Sequence, residues 1–202
     1  MKTRTTMHRN ALLGLVLLAL PACAAYKIDP PVGFAVVSEN DWQTRMKAQD
    51  NVGLTLQRFE NVKGGTLAFW GADLVKKLGN RGYSLTGQSA VKTKNGKIGT
   101  RFDFDYAAYD TGLPKFYTAV LVVTDKEKIV LQVAGDQQYA ATYRPRIPEL
   151  LQELVVRGCK PGSDICKGQQ PPALATPPAN KPAVDPPATP IVATPDPAAA
   201  KP

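Results

Sequence analysis

Lys94–Tyr106 reads KNGKIGTRFDFDY, and its second half decides the fold. From Ile98 to Tyr106 the residue types alternate. Ile98, Thr100, Phe102, Phe104 and Tyr106 share one face; Gly99, Arg101, Asp103 and Asp105 share the other. A two-residue period is that of a β-strand with one side buried. Asn95-Gly96, just upstream, is a hairpin signal, because both residues tolerate the positive φ of a type I′ turn. The spacing therefore predicts a strand over Tyr83–Val91, a turn at Lys94–Lys97, and an antiparallel return.

Working outward, Phe116–Thr124 and Lys128–Ala134 read as two more strands joined by the polar link Asp125-Lys126-Glu127. Upstream, Thr66 is a candidate N-cap. Leu67, Trp70, Leu74 and Leu78 follow at helical spacing, with Lys76 and Lys77 in the last turns and Gly79 and Gly82 as stops. Val52–Phe59 and Gly33–Val37 read as strands before that helix. Tyr143–Val156 reads as a closing helix with Ile147, Leu150, Leu151, Leu154 and Val155 as its stripe. The order strand, strand, helix, four strands, helix is an α+β pattern: an antiparallel sheet of about six strands packed with two helices.

The ends of the chain have a different composition. Residues 1–22 read as a secretory signal: Lys2, Arg4 and Arg9, an apolar run over Ala11–Leu20, then small residues. The run is about ten residues, against the ~20 needed to span a bilayer. Two processing sites compete. Leu20-Pro21-Ala22-Cys23 resembles a bacterial lipobox, which implies lipidation of Cys23 as the first mature residue; Pro21 departs from the pattern, and Ala24 in second place points to the outer membrane. Alternatively Ala22-Cys23-Ala24 is an ordinary site, cut after Ala24 to release a soluble periplasmic protein. Residues 23–32 read as a linker and 33–168 as the folded domain. Residues 169–202 are mostly Pro and Ala, which favours a disordered tail of polyproline II character.

With the closing helix YRPRIPELLQEL, the runs LVKKLGNRGYSLTGQ, NGKIGTRFDFDY and FYTAVLVVTDKEKIVLQVAG resemble the PsbP/Mog1-like superfamily, including DcrB-type periplasmic lipoproteins, over about residues 33–156. The resemblance implies an α/β/α domain and an accessory or assembly role. It carries no functional residue with it.

Composition narrows the chemistry. The formal charge is +8, but three positive charges lie in the leader. Lys181 and Lys201 offset Asp185 and Asp196 in the tail, leaving an excess of about five on the domain. After export the available anions are lipid headgroups and wall polymers; nucleic acid is not expected. The single histidine, His8, is in the leader. The mature chain is thus without Ser-His-Asp, Cys-His or histidine-metal chemistry. Cys159 and Cys166, in CKPGSDIC, are expected to form a disulfide in an oxidising compartment.

Carboxylates remain. Asp103 and Asp105 lie about 7 Å apart on one strand face, within the range of an inverting glycosidase pair. The same alternation makes them an ordinary solvated strand face, salt-bridged to Arg101. A cation site adding Asp110 is a third option, although Asp110-Thr111-Gly112 also reads as a turn. Lys63-Gly64-Gly65 before a helix could hold an anion but lacks the rest of a phosphate loop. Trp42, Tyr106, Tyr109, Phe116 and Tyr117 could line a groove or pack the sheet. The expectation is a non-catalytic, cofactor-free and metal-free envelope lipoprotein, held to the membrane by an N-terminal lipid. It would bind a protein partner or an anionic envelope polymer. A soluble ligand-binding protein and a carboxylate-dependent wall hydrolase are the alternatives.

Overall fold

The computed structural model describes residues 24–175; the segment read as a signal, Cys23 with its expected lipidation, and residues 176–202 of the stretch read as a disordered tail lie outside the described residues. The chain is α+β. Seven strands make one antiparallel sheet in the order β2-β3-β4-β8-β7-β6-β5. They are β2 (Phe34–Glu39), β3 (Gln43–Ala48), β4 (Gly53–Glu60), β5 (Ser84–Lys92), β6 (Ile98–Ala107), β7 (Pro114–Val123) and β8 (Glu127–Asp136). A separate ribbon pairs β1 (Tyr26–Ile28) with β9 (Leu154–Val156). Helix α1 (Leu67–Gly79) carries the chain from β4 to the opposite edge, and the β5–β8 meander returns to lay β8 beside β4.

Both sheet faces are covered, by different elements. On one, Leu54, Leu56, Val120, Val122, Ile129, Leu131 and Val133 pack beneath α2 (Ala140–Tyr143), α3 (Ile147–Gln152) and the β1–β9 ribbon. On the other, Phe102, Phe104, Leu121, Val123 and Val130 pack beneath Leu67, Val75 and Leu78 of α1. Each buried side chain of this size contributes roughly 1.5–3 kcal/mol. The central strand β7 therefore reads as a continuous apolar run, while β6, with Arg101, Asp103 and Asp105 on its second face, alternates. Thr66 caps α1 by accepting from the Phe69 amide at 3.2 Å, which contributes about 1 kcal/mol.

The structure departs from the sequence reading in five places. The closing helix is not continuous over Tyr143–Val156. It is a chain of short turns, Gln137–Tyr139, α2, Arg144–Arg146 and α3, because Pro145 and Pro148 lack the amides a continuous helix requires. Its last residues extend as β9. Strand β3 was not expected: Thr44, Met46 and Ala48 alternate with Arg45 and Lys47, but Met46 is the only large apolar residue. The region read as a linker contains β1, whose Tyr26 hydroxyl lies 3.2 Å from Thr44 Oγ1 in the core. The hairpin turn is not type I′, since only Gly96 takes positive φ (76°) and Asn95 does not. Asn95 instead donates to the Val156 carbonyl at 2.7 Å and accepts from the Val156 amide at 3.2 Å, tying β9 to the turn.

The fifth departure is at residue 169. Residues 169–175 lie against β5, β6 and α1. Gln170 accepts from the Thr100 hydroxyl at 2.8 Å, Gln88 donates to the carbonyls of Pro171 and Pro172, and Leu174 packs beside the α1 core. Gly71 makes this possible: a Cβ there would meet Phe102 at 3.0 Å and Pro171 at 3.2 Å.

Cys159 and Cys166 are joined, with Cα atoms 6.0 Å apart. The bridged loop follows β9, not a helix, and docks on the β7–β8 turn. Asp125 accepts from the Lys160 amide at 2.7 Å and the Ser163 hydroxyl at 2.6 Å. The Ser163 bond first, and the Lys160 amide second, hold the Asp125 carboxyl below the usual range. Among the described residues, no helix is long and apolar enough to cross a membrane.

Candidate functional site

Helix α1 lies over β5, β6 and β7 and reaches Val130 and Lys128 of β8, so among the described residues the other wing of that sheet face, β2–β3–β4, has no helix packed on it. Alternation decides what this wing presents. Thr44, Met46 and Ala48 of β3 and Leu54 and Leu56 of β4 point into the α2–α3 core. Gln43, Arg45, Lys47, Thr55, Gln57 and Phe59 must then face the open side. On β8, Ile129, Leu131 and Val133 are in the core, which places Lys128 and Gln132 on the same open side.

Register sets these side chains in rows. Arg45 pairs with Thr55 and Thr55 with Gln132; Gln43 pairs with Gln57; Phe59 pairs with Lys128. Gln132 donates to Gln57 Oε1 at 3.0 Å. Arg45 and Lys47 are exposed. The Lys128 ammonium sits 3.5 Å from the Trp70 ring centroid, and burial first, then the charge of Lys77, lowers its pKa. The charged groups in these rows, Arg45, Lys47 and Lys128, are all cationic. Asp73 on the flank of α1 is paired with Lys77 at 2.7 Å. A surface of amides, a hydroxyl and two exposed cations, with aromatic rings at one end, suits a polyhydroxylated or anionic polymer.

The carboxylates occupy the opposite face, beneath Arg144. The expected Arg101 salt bridge is present and Asp105 stays partly open to water, but Asp103 is mostly covered. Asp103 accepts from Thr118 Oγ1 at 2.5 Å and from Arg101 Nε at 3.1 Å, and Arg101 Nη2 reaches its second oxygen at 2.9 Å. Arg144 Nη2 donates to Asp105 at 2.7 Å and to the Phe104 carbonyl at 2.8 Å. Both oxygens of Asp103 are thus engaged by its neighbours. An inverting pair needs one carboxyl free to protonate a leaving group and one free to activate water. The arrangement fixes β6 and β7 to the Arg144–Arg146 turn. Asp110 does not join it: the described Asp, Glu and Cys side chains that gather in a group of three are Asp125, Cys159 and Cys166, and both sulfurs are spent in the disulfide.

The aromatic residues do not share a groove. Phe116 is buried on the α2–α3 face. Tyr106 stacks on Tyr83 at 4.3 Å, and Tyr117 meets Tyr83 edge-on at 5.5 Å, on the α1 face. Tyr109 lies exposed on the β6–β7 loop, and Trp42 lies at the opposite end of the sheet, against Arg58. Lys63-Gly64-Gly65 spans a short turn before α1, with Lys63 at φ 64°. Gly65 is required there: a Cβ would meet the Trp70 ring at 2.3 Å.

Burial raises the hydroxyl pKa of Tyr83, Tyr106 and Tyr117, most for Tyr117. In the unfolded chain these groups ionise near pH 10. Their raised folded values mean that their contribution is whole below pH 10 and is lost as pH climbs above it. Chemical denaturation at pH 9 and pH 11 is expected to show a marked loss at the higher value, smaller in Tyr117→Phe.

The wing was missed in the sequence because β3 was missed. The available signal was the alternation of Thr44, Met46 and Ala48 with Arg45 and Lys47.

No protein-family model matches the chain, and no curated protein matches it. Solved structures do. A protein of unknown function from Pseudomonas aeruginosa is 12% identical, covers 61% of this chain and 97% of its own, and superposes with a TM-score of 0.49. Cyanobacterial PsbP (CyanoP) from Synechocystis is 12% identical, covers 66% of this chain and 88% of its own, with a TM-score of 0.47. A Bacteroides thetaiotaomicron protein is 12% identical at a TM-score of 0.42, and the match spans 47% of its length.

Proposed function

We propose that this protein is a non-catalytic cell-envelope lipoprotein whose open sheet wing binds an anionic envelope polymer. The observation that carries the reading is the row set Gln43, Arg45, Lys47, Gln57 and Gln132, with Arg45 and Lys47 exposed and no helix above them among the described residues. The export signal, the lipobox-like Cys23 and the bridged Cys159–Cys166 support an oxidising extracytoplasmic address. The engagement of both Asp103 oxygens supports binding over hydrolysis. The resemblance to DcrB-type lipoproteins belongs to this proposal.

The test is cosedimentation of the mature protein with purified wall sacculi and with lipopolysaccharide, at low and high salt. Arg45→Glu/Lys47→Glu is expected to lower the bound fraction at least tenfold, which is about 1.4 kcal/mol or more. The substituted side chains are exposed, so thermal unfolding should be unchanged. Equal binding by both proteins would reject the wing. Capture of a protein partner by the wing, without polymer binding, would make it an assembly module. Extraction into a detergent phase separates an acylated chain from one cut after Ala24.

A further inference from the structure

One end of the sheet gathers large apolar side chains that the core does not use. Trp42 is 54% exposed, Phe59 45%, Val62 59% and Phe69 60%. They cluster at that end on both faces of the sheet. Trp42 lies under the Arg58 guanidinium, 4.3 Å from the ring centroid. On the other face Phe59 pairs with Lys128; Lys128 covers Trp70, and Trp70 meets Phe69 edge-on at 4.9 Å. Val62 sits in the turn following Asn61, whose carboxamide accepts from Trp70 Nε1 at 2.8 Å. Asn61 also donates to the Thr124 carbonyl at 2.8 Å, holding the turn onto the sheet end. The rings are therefore displayed by a rigid support.

The described chain begins at this same end. Ala24, Ala25 and Tyr26 line a cleft of about 390 Å³ with Glu39, Asn40, Asp41 and Arg58. Tyr26 is pinned by its ribbon partner Val156 and by Thr44. From Cys23 to Tyr26 is three residues, a reach of about 10 Å at full extension.

We infer that the band Trp42–Phe59–Val62–Phe69 is a membrane-seating surface that rests in the headgroup region of a lipid bilayer. The inference rests on the lipoprotein reading. Acyl chains on Cys23 would enter the bilayer, and a tether of about 10 Å leaves the sheet end no position far from it. Trp and Phe beside Arg and Lys suit that zone, where a ring is part buried and a polar edge stays wet. The charges around the band are mixed: Lys63, Lys126 and Lys128 stand against Glu39, Asp41 and Glu60, with Arg58 paired to Glu127 at 3.5 Å. The seating is therefore apolar and does not depend on anionic lipid.

The test uses native protein in phosphatidylcholine vesicles carrying bromine at shallow or deep acyl positions. Tryptophan emission is expected to be quenched at least twofold by the shallow label and less by the deep one, with most of the quenching absent in Trp42→Phe. Vesicle-bound protein that mass spectrometry shows to be acylated, yet is unquenched, overturns the inference. A second arm uses the mature chain with Cys23→Ser. Its partition into the same vesicles is expected to fall about tenfold on adding Phe59→Ser/Phe69→Ser. Unchanged partition overturns the surface whatever the state of Cys23. An N-terminus without acyl chains rejects the lipoprotein reading alone. Self-association abolished by the same serines would assign the band to a second copy and overturn the inference.

Discussion

Replacing Arg144 with alanine is expected to lower the unfolding free energy by about 2–3 kcal/mol, read from the urea midpoint at unchanged slope. Arg144 projects from the proline-broken turn after α2 and ties two strand carboxylates and one backbone carbonyl to it. Its partners are Asp105 at 2.7 Å, the Phe104 carbonyl at 2.8 Å and Asp103 at 3.6 Å. Removing a partner from a fully buried ion pair costs 3–5 kcal/mol. Here Asp105 is still partly open to water, which reduces the loss. The effect should be coupled. In an Arg144→Ala background, Asp103→Asn is expected to cost at least 0.5 kcal/mol less than in the native protein, since the lost guanidinium no longer has a charge to answer. Strict additivity would mean that the two residues do not act as one cluster. The same pair of variants bears on hydrolysis: wall cleavage abolished by Asp103→Asn would overturn the non-catalytic proposal.

Phe102→Ala is expected to cost about 4 kcal/mol. The ring is fully buried between β6 and α1. It lies 6.5 Å from the Phe104 ring, under Gly71 and beside Pro171. A wall made of sheet backbone and a helix glycine cannot collapse into the space, so a cavity should remain, with its own cost beyond transfer. Because Phe102 and Pro171 both approach Gly71, the variant is also expected to loosen residues 169–175. Faster amide exchange at Gln170 and Leu174 than in the native protein would report it; unchanged exchange would show that the segment is held by Gln88 and Thr100 alone.

The contrast between β6 and β3 shows what was readable. β6 has Phe102 and Phe104 on one face and Arg101, Asp103 and Asp105 on the other, so its period is visible without any partner. β3 has the same period, but its buried positions are Thr44, Met46 and Ala48, and two of these are weak signals alone. The open wing depends on β3, so it was hidden with it. Asn95 shows the opposite error. As a neighbour of Gly96 it read as a turn residue, yet its carboxamide serves β9, some sixty residues away. No local pattern encodes that bond.

By itself the sequence determined the α+β class, the β5–β8 meander, the start of α1 and the proximity of Cys159 to Cys166. Each is a short-range matter of period, cap or spacing. Tertiary structure decided which face each helix covers, that Arg144 lies over Asp103 and Asp105, that residues 169–175 pack, and that Trp42, Phe59, Val62 and Phe69 share one end of the sheet. These depend on which distant segments share a layer. Side-chain period fixes the face of a strand but not what is laid upon it.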